Sequence, residues 1–212
     1  MRTAKRMLLS SVCKPFGDQY GDGFSTKPIG LWQNCWVQGL FMIENVVLHW
    51  GLDVIAANVQ TPTTVLHYPS MRRFVAELEK GDYDYVGISF NECSFHKMEP
   101  MIAAVRKHSP HSEIILGGYG TTLPDSVLEP LSDHICREEA IGFVRRVLGE
   151  PESDRPFNHP VVTAKNWLFS LPILGETGMI TAGLGCPHGC DFCMTSHFFK
   201  RKHIRLLPRG AD

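Results

Sequence analysis

The stretch Tyr85–Gly118, YVGISFNECSFHKMEPMIAAVRKHSPHSEIILGG, decides the fold. Two apolar runs rich in Val and Ile, Tyr85–Phe90 and Glu113–Leu116, read as strands, and Met98–Lys107 between them reads as a helix. Strand, helix and strand in about 30 residues make a βαβ unit, whose right-handed crossover leaves the two strands parallel. The same alternation extends both ways. Upstream, Met7–Val12 reads as a first strand, followed by a Gly-rich stretch from Gly17 to Gly30. Trp36, Leu40, Ile43 and Val47 repeat at helical spacing in Gln33–Trp50, with Gly51 placed as a C-terminal cap. Asp53–Val59 reads as the second strand, and Ser70 as the N-cap of a helix that carries Phe74 and Leu78 and stops at Gly81. Downstream come a short helix after Pro124, a strand at His134–Cys136, and a helix at Glu138–Leu148 closed by Gly149.

Five such units over residues 1–150 predict an α/β domain: a doubly wound, parallel five-stranded sheet with helices on both faces. Ligands of such sheets bind beyond the C-terminal strand ends, here the loops Cys13–Gly30, Ser89–Met98, Gly117–Thr122 and Arg137. Residues 151–177 hold Pro151, Pro156, Pro160 and Pro172 and read as a linker with one short strand at Val161–Thr163. A new apolar strand, Gly178–Gly183, opens a last segment, 178–212.

Composition narrows the function classes. With 43% hydrophobic and 20% charged residues in 212, the chain can bury a core, which excludes disorder. A formal net charge of −1 gives no reason to expect nucleic acid or a membrane surface as partner. The basic residues Lys200, Arg201, Lys202, Arg205 and Arg209 do cluster, and the segment Lys200–Arg209 is expected to be a solvated helix; contact with an anionic ligand is the alternative. The longest uncharged stretch, Pro28–Ile43, is broken by Gln33, Asn34 and Gln38, and Met7–Val12 is too short for a signal peptide. Seven cysteines, three of them within eight residues, suit ligation in a reducing compartment, so a cytoplasmic location is expected.

Those three lie in Gly183-Leu184-Gly185-Cys186-Pro187-His188-Gly189-Cys190-Asp191-Phe192-Cys193. Thiols spaced CxxxCxxC on a tight, Gly-rich loop can converge on three irons of a 4Fe-4S cluster and leave the fourth iron open to a ligand. The competing reading is zinc, completed by His188, His197 or His203. Cys13, Cys35, Cys93 and Cys136 read as ordinary small hydrophobes.

The cysteine motif, with a strand before it and an aromatic before its last Cys, resembles the radical S-adenosylmethionine (radical SAM) family. The resemblance implies that Cys186, Cys190 and Cys193 ligate the cluster, that the open iron chelates S-adenosylmethionine, and that Phe192 lies against the adenine. Ser89, Gly117, Gly118 and Gly120, on the ligand edge of the sheet, resemble the cobalamin-binding, flavodoxin-like domain that precedes the radical domain in one branch of that family. There they would flank the nucleotide tail of cobalamin. Asp18-Gln19-Tyr20-Gly21-Asp22-Gly23 stands where relatives with a histidine cobalt ligand carry DxHxxG, so Asp18 would align with the motif and Tyr20 with its histidine. Tyrosine is a poor cobalt ligand, and no ligand to cobalt is expected from this loop. At Asp133–Glu139 the family has a Gly where Glu138 stands, and its carboxylates are expected to charge the first turn of the next helix.

The resemblance thus implies a cobalamin-dependent radical SAM enzyme, a methyltransferase or, as the close alternative, a catalyst of a non-methylating radical reaction, acting on a small-molecule or peptide substrate with an electron donor such as flavodoxin or ferredoxin. The alternative is a cofactor-carrying module without turnover of its own. Only residues 194–212 follow Cys193, so the chain is expected to hold the first strand and cluster loop of a truncated partial β/α barrel, and a complementary C-terminal chain is a candidate partner.

Overall fold

The computed structural model describes residues 4–13, 43–45, 49–152, 157–168 and 175–207. In chain order the elements are β1 (Met7–Ser11), β2 (Ile43–Asn45), α1 (Trp50–Ala57), β3 (Thr63–Leu66), α2 (Met71–Gly81), β4 (Tyr85–Ser89), α3 (Phe95–His108), β5 (Glu113–Gly117), α4 (Asp125–Leu128), β6 (His134–Ile135) and α5 (Ala140–Leu148). Then follow β7 (Val162–Leu168), β8 (Glu176–Met179), β9 (Gly183–Gly185), α6 (Met194–Phe198) and β10 (His203–Arg205).

Five strands form one sheet in the order β3-β1-β4-β5-β6, parallel at every pairing. This order, with β1 inside, is consistent with the flavodoxin-like type. All five residues of β1 are buried, as a central strand covered on both faces must be. One face packs Leu8, Val86, Ile88, Ile114 and Leu116 against Phe74 and Leu78 of α2 and Met98, Met101 and Val105 of α3. The other packs Met7, Leu9, Tyr85 and Ile115 against Leu52 of α1 and Val144 and Leu148 of α5. Helices therefore cover both faces, as expected.

The helix caps follow the residue types. Ser70 Oγ accepts from the Arg73 amide at the start of α2, and Gly149 closes α5 in the left-handed region at φ +75°. The Glu139 carboxylate accepts from the amides of Ile141 and Gly142 at 2.7 and 2.9 Å, so the acidic stretch before α5 is its cap.

Several expectations are corrected. Asp53–Val59 is not a strand: Trp50–Ala57 is helical, Gly51 lies inside it, and the second strand of the sheet falls at Thr63–Leu66. Burial of Leu52 and Val54 on α1 outweighs the β-preference of Val54 and Ile55. Most of the expected helix Gln33–Trp50 lies outside the described residues, but Ile43–Asn45 within it is a strand that pairs antiparallel with β7. The linker 151–177 holds a seven-residue strand, β7, also paired antiparallel with β8. The single strand expected at Gly178–Gly183 is two, β8 and β9, and β9 pairs antiparallel with β10. Among the described residues the basic segment after Cys193 forms no helix beyond Phe198: Lys200 and Arg201 turn the chain at φ +53° and +57°, and β10 follows, while Arg209 lies outside the described residues. Among the described residues no helix is long and apolar enough to cross a membrane.

Candidate functional site

The C-terminal ends of β4 and β5 are locked in register, with Ser89 opposite Gly117. Beyond them the Phe90 amide donates to the Gly117 carbonyl and the Gly120 amide to the Phe90 carbonyl, each at 3.0 Å. The three glycines of this edge do different work. A Cβ at Gly117 would meet nothing within 4 Å. Gly118 has φ +87°, and a Cβ there would stand 2.4 Å from the Phe90 carbonyl oxygen. Gly120 is buried, and its missing Cβ is what lets the Phe90 ring pass, at 2.2 Å from where that atom would sit. Gly117 thus faces open space, Gly118 is required by its backbone conformation, and Gly120 serves packing.

That space is a cavity of about 540 Å³ over the strand ends. Its floor is Gly87, Ser89, Gly117 and Gly118, and Leu52 of α1 and Ile141 and Val144 of α5 form its sides. Leu184, Phe198, Phe199 and Leu206, from the cysteine-bearing segment, complete it. Leu206 is 1% exposed and clusters with Val54 and Ile141, which anchors that segment on α1 and α5. The Tyr119 hydroxyl lies 3.1 Å from Thr195 Oγ1, and its ring meets Phe198 edge-on at 5.2 Å. The two motifs read separately from the sequence are therefore neighbours in space.

His49 and Ser89 form one polar corner of the cavity, and Asn91, Glu138 and Glu139 add polar lining elsewhere. His49 Nε2 lies 3.0 Å from Ser89 Oγ, while His49 Nδ1 is shut off from solvent without a partner among the described residues. The His49 amide donates to His67 Nδ1 at 3.1 Å, so the His67 proton sits on Nε2, which donates to Asp53 Oδ1 at 3.2 Å. Burial lowers the His49 pKa below its usual value, and the ring is neutral at pH 7. No sequence motif marked His49; its partner Ser89 is 40 residues away. Cys136 also lines the cavity, and burial pushes its thiol up to about 12, leaving it an inert hydrophobe. Cys13, likewise buried and pushed to about 12, fits the same description. Cys93 does not: it is exposed.

The cysteine loop is held by one buried hydroxyl. Ser196 Oγ donates to the Cys186 carbonyl at 3.0 Å and accepts from the Gly189 amide at 2.9 Å, tying the loop to α6. Gly185 and Gly189 both take positive φ, at +79° and +70°. The Cys193 amide donates to the Cys190 carbonyl at 3.0 Å, and His197 Nε2 lies at 3.0 Å from the same oxygen. Cys186, Cys190 and Cys193 are all free thiols, with Cys190 exposed. The donor set suits an iron-sulfur cluster: three unpaired thiols on one Gly-rich loop. Their side chains do not converge, since among the described residues no three His, Cys, Asp or Glu groups are placed to hold a metal ion. Phe192 is 93% exposed. Asp18, Tyr20 and Cys35 lie outside the described residues.

No protein-family model, no curated protein and no solved structure matches the chain.

Proposed function

We propose that the chain is a cobalamin-dependent radical SAM methyltransferase component, with the cysteine loop as its cluster site and the apolar cavity as the seat of the cobalamin nucleotide tail. The observation that carries this reading is the shared wall: the segment bearing Cys186, Cys190 and Cys193 roofs the same cavity that Ser89, Gly117 and Gly118 floor. A cluster with S-adenosylmethionine supplies one-electron cleavage of a sulfonium bond, and cobalamin supplies a methyl carrier; the protein's share is placement and exclusion of water.

This chain's residues divide that share. Cys186, Cys190 and Cys193 would provide thiolates for three irons once their side chains turned toward one point, and the Ser196 clamp would hold the loop backbone meanwhile. Phe192, standing free beside the loop, offers a face for the adenine. Gly117 leaves open space at the cavity floor, so a flat ring can approach the backbone there. The apolar sides from α1 and α5 keep water away from it. The free thiols also support a reducing, cytoplasmic setting, with a flavodoxin or ferredoxin as electron donor.

Anaerobic reconstitution with iron and sulfide tests the reading. The wild-type chain is expected to hold about four irons with broad absorption near 400 nm, roughly, and Cys186→Ala, Cys190→Ala and Cys193→Ala each to lose that absorption. Stoichiometric zinc that persists through reconstitution would overturn it.

A further inference from the structure

The turn between α6 and β10 carries Lys200, Arg201 and Lys202 in succession, all exposed and none with a carboxylate partner among the described residues. Arg106, Arg137 and Arg146 of the sheet domain, by contrast, pair with Asp133, Asp125 and Glu138. Lys200 and Arg201 sit at φ +53° and +57°, in the left-handed region where glycine is at ease and a residue with a Cβ is not. Glycine would satisfy this backbone better, so two cations occupy it at a conformational cost.

The turn is joined to the cysteine loop. The Arg201 amide donates to the Ser196 carbonyl at 2.7 Å, and the Ser196 hydroxyl is the group that holds Cys186 and Gly189. The Arg201 side chain packs on that loop, since a Cβ on Gly189 would stand 2.6 Å from Arg201 Nε. Across residues 183–207 the cations Lys200, Arg201, Lys202 and Arg205 face one carboxylate, Asp191, in a chain whose formal net charge is −1. Positive charge is therefore concentrated on the segment that bears the three thiols.

We infer that the Lys200–Lys202 turn is a docking surface for an acidic electron-carrier protein, which it brings against the cysteine loop. Place and charge together select this partner. A redox centre on the loop is reached from outside, and a carrier need only come close: it is oxidised by one electron, the centre is reduced by one, and no bond forms or breaks. Exposed cations beside the point of approach raise the encounter rate of an acidic surface. Successive residues on one tight turn make a compact patch, whereas a nucleic acid gains affinity from many phosphate contacts and a membrane from a longer basic run. The choice of an electron carrier rests on the cluster reading.

Docking needs no iron, so the test uses the full chain without it. The probe is a fluorescently labelled flavodoxin of acidic net charge, followed by anisotropy at low and at physiological salt, with thermal unfolding of each variant run beside it. The wild-type chain is expected to bind at low salt and to weaken as salt rises. Lys200→Gly combined with Arg201→Gly removes two charges where glycine relieves the backbone, so this double variant should unfold no earlier than wild type yet bind about tenfold more weakly. Lys202→Gln leaves the left-handed positions untouched and should weaken binding about threefold. Lys107→Gln removes an exposed cation from the last turn of α3, at the far end of the sheet, and should bind as wild type does. Wild-type affinity in the double variant overturns the proposal. So does an equal loss in Lys107→Gln, which would mean that net charge alone counts, and so does failure of the wild-type chain to bind flavodoxin at low salt. Tighter binding of a single-stranded oligonucleotide or of phosphatidylserine vesicles, lost in the double variant, would also overturn it by giving the turn another partner. Iron reconstitution stands apart from all of these: a chain that docks flavodoxin at this turn but takes up no iron keeps the docking surface and overturns the cluster reading.

Discussion

A methyl group added at Gly117 enters open space, whereas one added at Gly118 would press on the Phe90 carbonyl oxygen and on Ser89 Oγ, at 2.4 and 2.9 Å. Adjacent residues of one type therefore give opposite results on substitution. Gly117→Val is expected to leave the unfolding midpoint close to wild type while removing corrinoid binding, because the side chain occupies ligand space. Gly118→Val forces a β-branched residue into positive φ against backbone, and should lower stability by about 1–3 kcal/mol or more. Thermal unfolding beside absorbance titration separates the two. Equal loss of stability in both variants would mean that the Gly117 space is not open in solution. Ser89 and both glycines could be picked out by their place at predicted strand ends. Gly120 could not be told apart from them, because only the path of the Phe90 ring shows that its role is packing.

At the level of elements, the end of α5 is fastened to the residues leading into β3 through one carboxylate. Glu150 accepts from the amides of Gln60 and Thr61 at 2.8 Å each and from the Thr61 hydroxyl at 2.7 Å. Burial pushes its pKa up, but these donors outweigh it and leave the carboxyl below its usual range. A lowered folded pKa means that the clip is fully present above the ordinary carboxylate range and is lost as pH falls through the folded value. Stability measured by denaturant should therefore decline from pH 6 toward pH 3, roughly, and Glu150→Gln should flatten part of that slope. An unchanged slope would assign the acid sensitivity elsewhere. The elements most legible in the sequence were those whose caps and apolar spacing agree: α2 between Ser70 and Gly81, β4, β5, and α5 before Gly149. The run from Asp53 to Val59 misled because its β-branched residues favour a strand in isolation. What makes it helical is the company of Val144 and Leu148 across the sheet face, which no local pattern records.

For the whole molecule, the decisive contact is long in sequence: Leu206 and Leu184 meet Val54 and Ile141. The cysteine spacing was plain from the sequence, but its seat above the glycine edge was not, since that depends on which apolar residues of the last segment find a partner. Leu206→Ala removes a fully enclosed side chain and should cost about 2–5 kcal/mol of docking. The expected sign is faster proteolytic cleavage within residues 175–207 while the far-ultraviolet circular dichroism of the sheet domain holds; a cooperative loss of both would make the two parts one folding unit. A chamber whose ceiling belongs to the same chain also has kinetics of its own. A guest beneath Phe198, Phe199 and Leu206 is held in part by that ceiling, so loosening the ceiling shortens its residence time as surely as weakening its own contacts does.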